Sequence, residues 1–340
     1  MLIQRRRIIT TALAGAVGLA TVGLPGCAST PSSPGTPPSG TFSFDASDKT
    51  PIFVRRWTPA QGPLRGVVQI AHGAAEHSLR YAEFAAFLNS RGYVVYADDH
   101  RGHGQTRVRS GALGDEGPDG WNRMVTDEKT LSDLIRKECP GLKLFLFGHS
   151  MGSMIAVDYM ERYGTTIDGV ILCGTSGVFA NADAVVDIAQ KAAAANPAAP
   201  SELLGQVFAS LNTQFTGKPG ADWLSRDPAE VARYLADPLN GFLFNNEFAR
   251  DWFVGLRDIW SPQREAQIPK NLPIDVIAGS RDPVGANTET VKLLLARYQA
   301  LGLTRVSSKF YPDARHELLK ETNRAEVMND VARWIDSLTA

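Results

Sequence analysis

Ser150 stands in Gly148-His149-Ser150-Met151-Gly152, a G-x-S-x-G pattern between the apolar run Leu144-Phe145-Leu146-Phe147 and a stretch of helical character. Two glycines at that spacing let the backbone turn sharply from strand to helix and hold a serine hydroxyl in a strained, exposed position. The pattern alone is weak, since a chain of this length carries one by chance about one time in ten. Its place at a strand–helix junction is what makes Ser150 a nucleophile rather than one residue of an ordinary turn.

A serine hydroxyl attacks only when a base takes its proton. Of the six histidines, His72, His77, His100 and His103 precede the pattern and His149 lies inside it. Only His316, in Pro312-Asp313-Ala314-Arg315-His316-Glu317, follows the last predicted strand and opens at the edge where Ser150 sits. The carboxylate that orients it should leave the preceding strand's C-terminal end, which places Asp282 of Gly279-Ser280-Arg281-Asp282-Pro283 there. Asp275 competes but lies at the wrong end of that strand, and Asp313 and Glu317 are placed to pair locally with Arg315. Acyl transfer also needs donors for the developing oxyanion. The N–H of Met151 is one; the other should come from His72-Gly73-Ala74-Ala75-Glu76-His77, with Ala74 aimed at the site and His72 in a structural hydrogen-bonding role.

These residues need strands to carry them. Phe42–Ala46 and Ile52–Trp57 read as a leading hairpin, and Gly66–Ala71 as a strand covered on both faces. Strands at Tyr93–Ala97, Lys143–Phe147, Ile167–Cys173, Ile274–Ala278 and Arg305–Tyr311 alternate with helices at Tyr81–Arg91, Trp121–Glu138, Met151–Arg162, Thr288–Leu301 and Arg324–Leu338. Residues 178–265 interrupt the alternation with helical sequence and read as a cap. The expectation is an α/β, mostly parallel, doubly wound sheet within a domain of residues 41–340. In the cap, Phe244, Phe248, Trp252 and Leu256 recur every four residues and form one helical stripe. That stripe either binds apolar acyl chains, through Phe244, Phe248 and Trp252, or packs the cap on the body.

The 340 residues carry 35 Lys+Arg against 36 Asp+Glu, which leaves no basic footprint for nucleic acid. No metal or cofactor is expected, because no His pair sits at ligand spacing with a thiol or carboxylate. Residues 1–27 read as an export signal: Arg5-Arg6-Arg7, a mildly apolar run from Ile8 to Leu24, then Leu24-Pro25-Gly26-Cys27. The last four are similar to a bacterial lipobox, making Cys27 a lipid-attachment site, and the arginines fit a twin-arginine signal as well as an ordinary Sec signal. The Pro/Ser-rich residues 28–40 read as a tether to a membrane. The other two cysteines, Cys139 and Cys173, fall at opposite sheet edges, about 15–20 Å apart and beyond disulfide reach.

His72-Gly73-Ala74-Ala75-Glu76-His77-Ser78-Leu79-Arg80-Tyr81, Asp99-His100-Arg101-Gly102-His103-Gly104-Gln105, the Ser150 pentapeptide, Gly279-Ser280-Arg281-Asp282 and His316-Glu317 together resemble the monoacylglycerol lipase and lysophospholipase group of serine-aminopeptidase-like α/β-hydrolases. The resemblance spans residues of about 42–338. It implies an α/β-hydrolase fold, a Ser150–Asp282–His316 triad, an oxyanion hole from Ala74 and Met151, and an Arg-Gly-His-Gly loop that shapes the site floor. Thr106 stands where the group more often has serine. The expected activity is hydrolysis of a small-molecule ester, a monoacylglycerol or lysophospholipid, by an exported enzyme. Two alternatives are an aminopeptidase, which would use cap carboxylates to pair a substrate amine, and a binding protein without chemistry.

Overall fold

The computed structural model describes residues 39–108, 110–178, 181–215 and 220–339. The expected export signal, Cys27 and all but the end of the tether lie outside them. The strands are β1 (Gly40–Asp45), β2 (Pro51–Trp57), β3 (Gly66–Ala71), β4 (Tyr93–Asp98), β5 (Leu144–His149), β6 (Gly169–Cys173), β7 (Ile274–Gly279) and β8 (Val306–Tyr311). They form one sheet in the order β1-β2-β4-β3-β5-β6-β7-β8. β1 and β2 make the expected antiparallel hairpin, β2 runs antiparallel to β4, and every later neighbour is parallel.

Every residue of β3 to β7 is buried, as continuous apolar strands require when helices cover both faces. On one face α1 (Ala82–Asn89) and α10 (Arg324–Thr339) close a core with Phe84, Leu88, Val331 and Ile335. On the other, α2 (Gly120–Glu138), α3 (Met151–Tyr163) and α9 (Glu289–Ala300) supply Trp121, Leu131, Ile155 and Leu294. Cys139 and Cys173 are both free and belong to the two different cores. The helix expected from Tyr81 is preceded by a 3-10 turn, Ser78–Tyr81. The N–H and hydroxyl of Ser78 both donate to Asp99, at 2.8 and 2.5 Å, which pins the chain before α1 begins.

Between β6 and β7 lie α4 (Ala182–Ala195), α5 (Glu202–Leu211), α6 (Pro228–Ala236), α7 (Asn246–Ile259) and α8 (Pro262–Glu265). Three of these start on side-chain caps. Ser201 accepts from Leu204 N–H, Asp227 from Ala229 N–H ahead of a helix that opens on Pro228, and Asn245 from Phe248 N–H; such caps stabilise a helix start by about 1 kcal/mol each. Among the described residues, no helix is long and apolar enough to cross a membrane.

Candidate active site

Ser150 follows β5 directly, with φ 53° and ψ −122°, a conformation that L-residues hold only under constraint. The constraint is close packing. A Cβ on Gly148 would lie 2.4 Å from the Gly152 carbonyl oxygen, and one on Gly152 would lie 2.1 Å from that of Ala71. Both positions therefore exclude any side chain. α3 begins at Met151, and its first turn closes back on the elbow: Ser153 and Met154 N–H donate to the Ser150 carbonyl at 2.8 and 3.3 Å.

β7 and β8 deliver the residues expected as acid and base. Asp282 leaves β7 and His316 leaves β8, and both are buried. His316 Nδ1–H donates to the Asp282 carboxylate, 3.0 Å from each oxygen, which leaves Nε2 as the free face of the ring. To lie near Ser150, His316 must lean over the end of β6. Gly174 makes this possible: its φ is +60°, and a Cβ there would stand 3.2 Å from the imidazole. Asp275 lies near the start of β7 and accepts from Ser307 Oγ at 2.7 Å, away from His316.

The loop after β3 comes beside Ser150 because Ala71 is registered against Gly148. A Cβ on Gly73 would lie 3.2 Å from Ser150 Cβ. Among the described residues, the N–H groups of Ala74 and Met151 take no hydrogen bond. The neighbouring amides are fixed: Gly73 N–H donates to Glu76 at 2.6 Å and Ala75 N–H to His103 Nε2 at 3.2 Å. His72 Nε2 accepts from His100 N–H at 3.0 Å, and the His72 and His100 rings stack 3.9 Å apart. Burial, reinforced by the charge of His100, pushes the His72 pKa well below its ordinary value and that of His103 to about 3. Both rings are therefore neutral acceptors. Thr106 keeps the hydroxyl that a serine would supply, accepting from Phe53 N–H at 3.0 Å.

Three further features had no sequence signal. Glu76 accepts from Gly73 N–H, Tyr81 Oη and Arg80, and Arg80 also grips Glu317 through both terminal nitrogens. Burial raises the Glu76 pKa, but Arg80 and the His149 hydrogen bond outweigh it and hold the carboxyl well below the usual range. Glu317 thus pairs with distant Arg80, not with Arg315, which donates to the carbonyls of Asp222 and Ser225. Asp98, His100 and Glu128 also converge, with ligand-type atoms within 4.8 Å of one another. His100 Nδ1 lies 3.1 Å from Asp98. Burial and the nearby Asp98 charge push the Glu128 carboxyl well up, and Gln69 Nε2 donates to it at 2.5 Å.

Ser150 opens on two cavities. One, of about 270 Å³, is apolar and lined by Leu203, Leu204, Val207, Phe208 and Leu211 of the α5 region, with Trp252, Phe253 and Leu256 of α7 opposite. The other, of about 20 Å³, is lined by Gly73, Ala74, Glu76, Tyr234, His316 and Glu317. Of the three residues expected at an acyl site, Trp252 lines the apolar cavity; Phe244 and Phe248 do not. Their rings, 2% and 0% exposed, lie 5.2 Å apart at a tilt of 42°, and Phe244 lies 5.5 Å from His103. Helical periodicity shows that one face of α7 is buried, not that the near end of that face meets the body while the far end meets a cavity.

Residues 62–323 match the family described as serine aminopeptidase, S33. The chain is 34% identical over 287 residues to the monoacylglycerol lipase of Mycolicibacterium smegmatis, covering 83% of this chain and 91% of that protein. It is 29% identical over 293 residues to the monoglyceride lipase of Homo sapiens, covering 85% and 88%. A highly thermostable carboxyl esterase from Bacillus coagulans, solved in complex with glycerol, superposes with a TM-score of 0.81 at 33% identity, over 88% of this chain and 99% of that one.

Proposed function

The chain belongs to the serine aminopeptidase S33 family and has the α/β-hydrolase fold, and on that premise we propose that Ser150, His316 and Asp282 act as one triad on fatty esters of small alcohols. Hydrolysis of carboxylic esters by a serine hydrolase is the activity of this chain; the residues in each role and the choice of ester are the proposal. Ser150 Oγ attacks the ester carbonyl while its proton passes to His316 Nε2, and Asp282 stabilises the imidazolium through Nδ1–H. The oxyanion accepts from Ala74 and Met151 N–H, each worth about 3–4 kcal/mol to the transition state. The alcohol leaves with the proton from His316, and water repeats the sequence on the acyl-enzyme.

One observation carries the substrate reading: Ser150 is the meeting point of a large apolar cavity and a small one of mixed lining that holds His316, Glu76 and Glu317. A long acyl chain suits the first, and the narrowness of the second disfavours a bulky alcohol, which together favour a monoacylglycerol. The related lipases and the glycerol in the Bacillus esterase support that choice. The aminopeptidase reading is weaker. None of the insertion carboxylates Glu202, Asp222, Asp227, Glu230, Asp237, Glu247, Asp251 and Asp258 lines either cavity, and Glu76 and Glu317 are already engaged by Arg80. Nitrophenyl esters of graded chain length, run beside aminoacyl anilides, test this. Ester turnover that rises toward decanoyl supports it, and preferential anilide cleavage sinks it.

The insertion is proposed to act as the cap over the site. The N-terminal pattern of Arg5-Arg6-Arg7 and Gly26-Cys27 supports an exported, lipid-anchored enzyme. Under that reading Cys27→Ala moves the protein from the membrane to the soluble exported fraction; a wild type that is already soluble defeats it.

A further inference from the structure

Ser150, Phe208 and Trp223 are the residues that line both cavities. Ser150 is the point where the substrate's carbonyl must sit, which leaves two rings as the wall between the spaces. Trp223 is also tied to the base. Its ring lies 4.8 Å from the His316 ring at an interplanar angle of 35°, and its carbonyl accepts from His316 N–H at 3.3 Å. The next carbonyl, of Leu224, accepts from Glu317 N–H at 2.7 Å.

This wall is held on both sides. Arg315 donates to the carbonyls of Asp222, at 2.5 Å, and Ser225, at 2.9 Å. Arg226 Nε donates to Glu321 at 2.8 Å, and the same carboxylate accepts from Arg315 N–H at 2.7 Å. Glu321 is fully buried, so its carboxylate accepts these bonds away from bulk water. Trp223 N–H donates to Asn212 at 3.0 Å, which anchors the segment to the end of α5. An insertion segment and the loop that carries His316 therefore form one hydrogen-bonded unit, with Trp223 projecting from it beside Ser150.

The geometry points to Trp223 as the residue that sets alcohol specificity, by separating the acyl space from the alcohol space and keeping the latter small. The inference rests on the ester-hydrolase reading above. With Trp223 in place, the space on the His316 side of Ser150 stays narrow, about 20 Å³, and admits only a slender alcohol. Without the indole, only Phe208 stands between the two spaces, and a bulky alcohol gains room toward the apolar one.

The test compares two butanoyl esters, of glycerol and of cyclohexylmethanol, so that the acyl side is common to both. Wild type hydrolyses the glycerol ester with the higher kcat/KM, and Trp223→Ala lowers that preference about tenfold or more, through a lower KM for the cyclohexylmethyl ester. Loss of packing on His316 slows kcat for both esters alike and so cancels in the ratio. An unchanged ratio, with both esters slowed equally, overturns the proposal and leaves Trp223 as a support for His316. Should Trp223→Ala no longer react with a fluorophosphonate, Trp223→Leu supplies the readout, with a smaller shift in the same direction expected and an unchanged ratio again overturning the proposal. A wild type that cleaves neither ester refutes the ester-hydrolase reading instead.

Discussion

Arg80 holds Glu317 by two parallel hydrogen bonds, Nη1 to Oε1 at 2.6 Å and Nη2 to Oε2 at 2.7 Å. Glu317 follows His316, and Arg80 also pairs with Glu76, which fixes Gly73 N–H. One guanidinium thus joins the loop that carries the base to the loop that presents Ala74. Burial lowers the Arg80 pKa, but Glu317 and Glu76 together hold it well above its ordinary value. Arg80→Met leaves two buried carboxylates without their cation and should cost about 3–5 kcal/mol of stability. Arg80→Lys keeps the charge but not the two-point grip. It should retain much of that stability yet lose kcat, and a lysine variant with full kcat would show that the grip does not position the loops.

Ser150→Ala should abolish ester hydrolysis with the fold intact, since only Oγ is removed. A fluorophosphonate should label wild type at Ser150 and leave the variant unlabelled; labelling at another serine would reassign the nucleophile.

Asp282→Asn should lower kcat by about 10⁴, because an amide cannot hold His316 in the Nδ1–H tautomer as a carboxylate does. His316→Ala should be comparably impaired, and its combination with Ser150→Ala little worse than either alone, as members of one catalytic unit are non-additive. Near-normal turnover by Asp282→Asn would overturn Asp282 as the acid.

Acid should unfold the loop after β3 early. Burial first, then the charge of His100, lowers the His103 pKa from 6.5 to about 3, and His72 shifts in the same direction. The unfolded chain takes up these protons before the folded one does. Stability is therefore fully present above 6.5 and is lost as pH falls from there toward 3, by up to about 1.4 kcal/mol per pH unit for each histidine. His103→Asn should melt lower than wild type near neutral pH but lose less on acidification. An equal acid slope in the two proteins would show that His103 does not carry the transition.

The convergence of Ser150, Asp282 and His316 was legible because each follows a strand whose end the sequence marks: Gly148 and Gly152 around Ser150, Gly279 before Asp282, and the last apolar run before His316. Strand ends share one edge in a parallel sheet, so chain order alone brings these residues near one another. Arg80 with Glu317, and Trp223 with His316, were not legible. The members of each pair lie far apart in the chain and neither belongs to a periodic pattern. The insertion was read as helical with one apolar stripe, yet α5 lines much of the cavity. A period of four residues identifies a buried face without saying what buries it.

That ambiguity yields the last prediction. Phe248 is fully buried against Phe244 and Trp252, and a Cβ on Gly120 would lie 3.2 Å from its ring, so its surroundings are α2 and α7, not substrate. Phe248→Ser should remove about 3–5 kcal/mol of packing, lower Tm by several degrees, and slow acetyl and decanoyl esters in step. Leu203, by contrast, is partly exposed on α5 and lines the apolar cavity beside Ser150. Leu203→Trp fills space without opening the core, so Tm should hardly move. Kinetically, kcat/KM for a decanoyl ester should fall by about tenfold or more while that for an acetyl ester, which needs none of the cavity, holds steady. Equal loss on both esters in Leu203→Trp would place the acyl chain elsewhere. Selective loss of the decanoyl ester in Phe248→Ser would return the near end of α7 to the binding site.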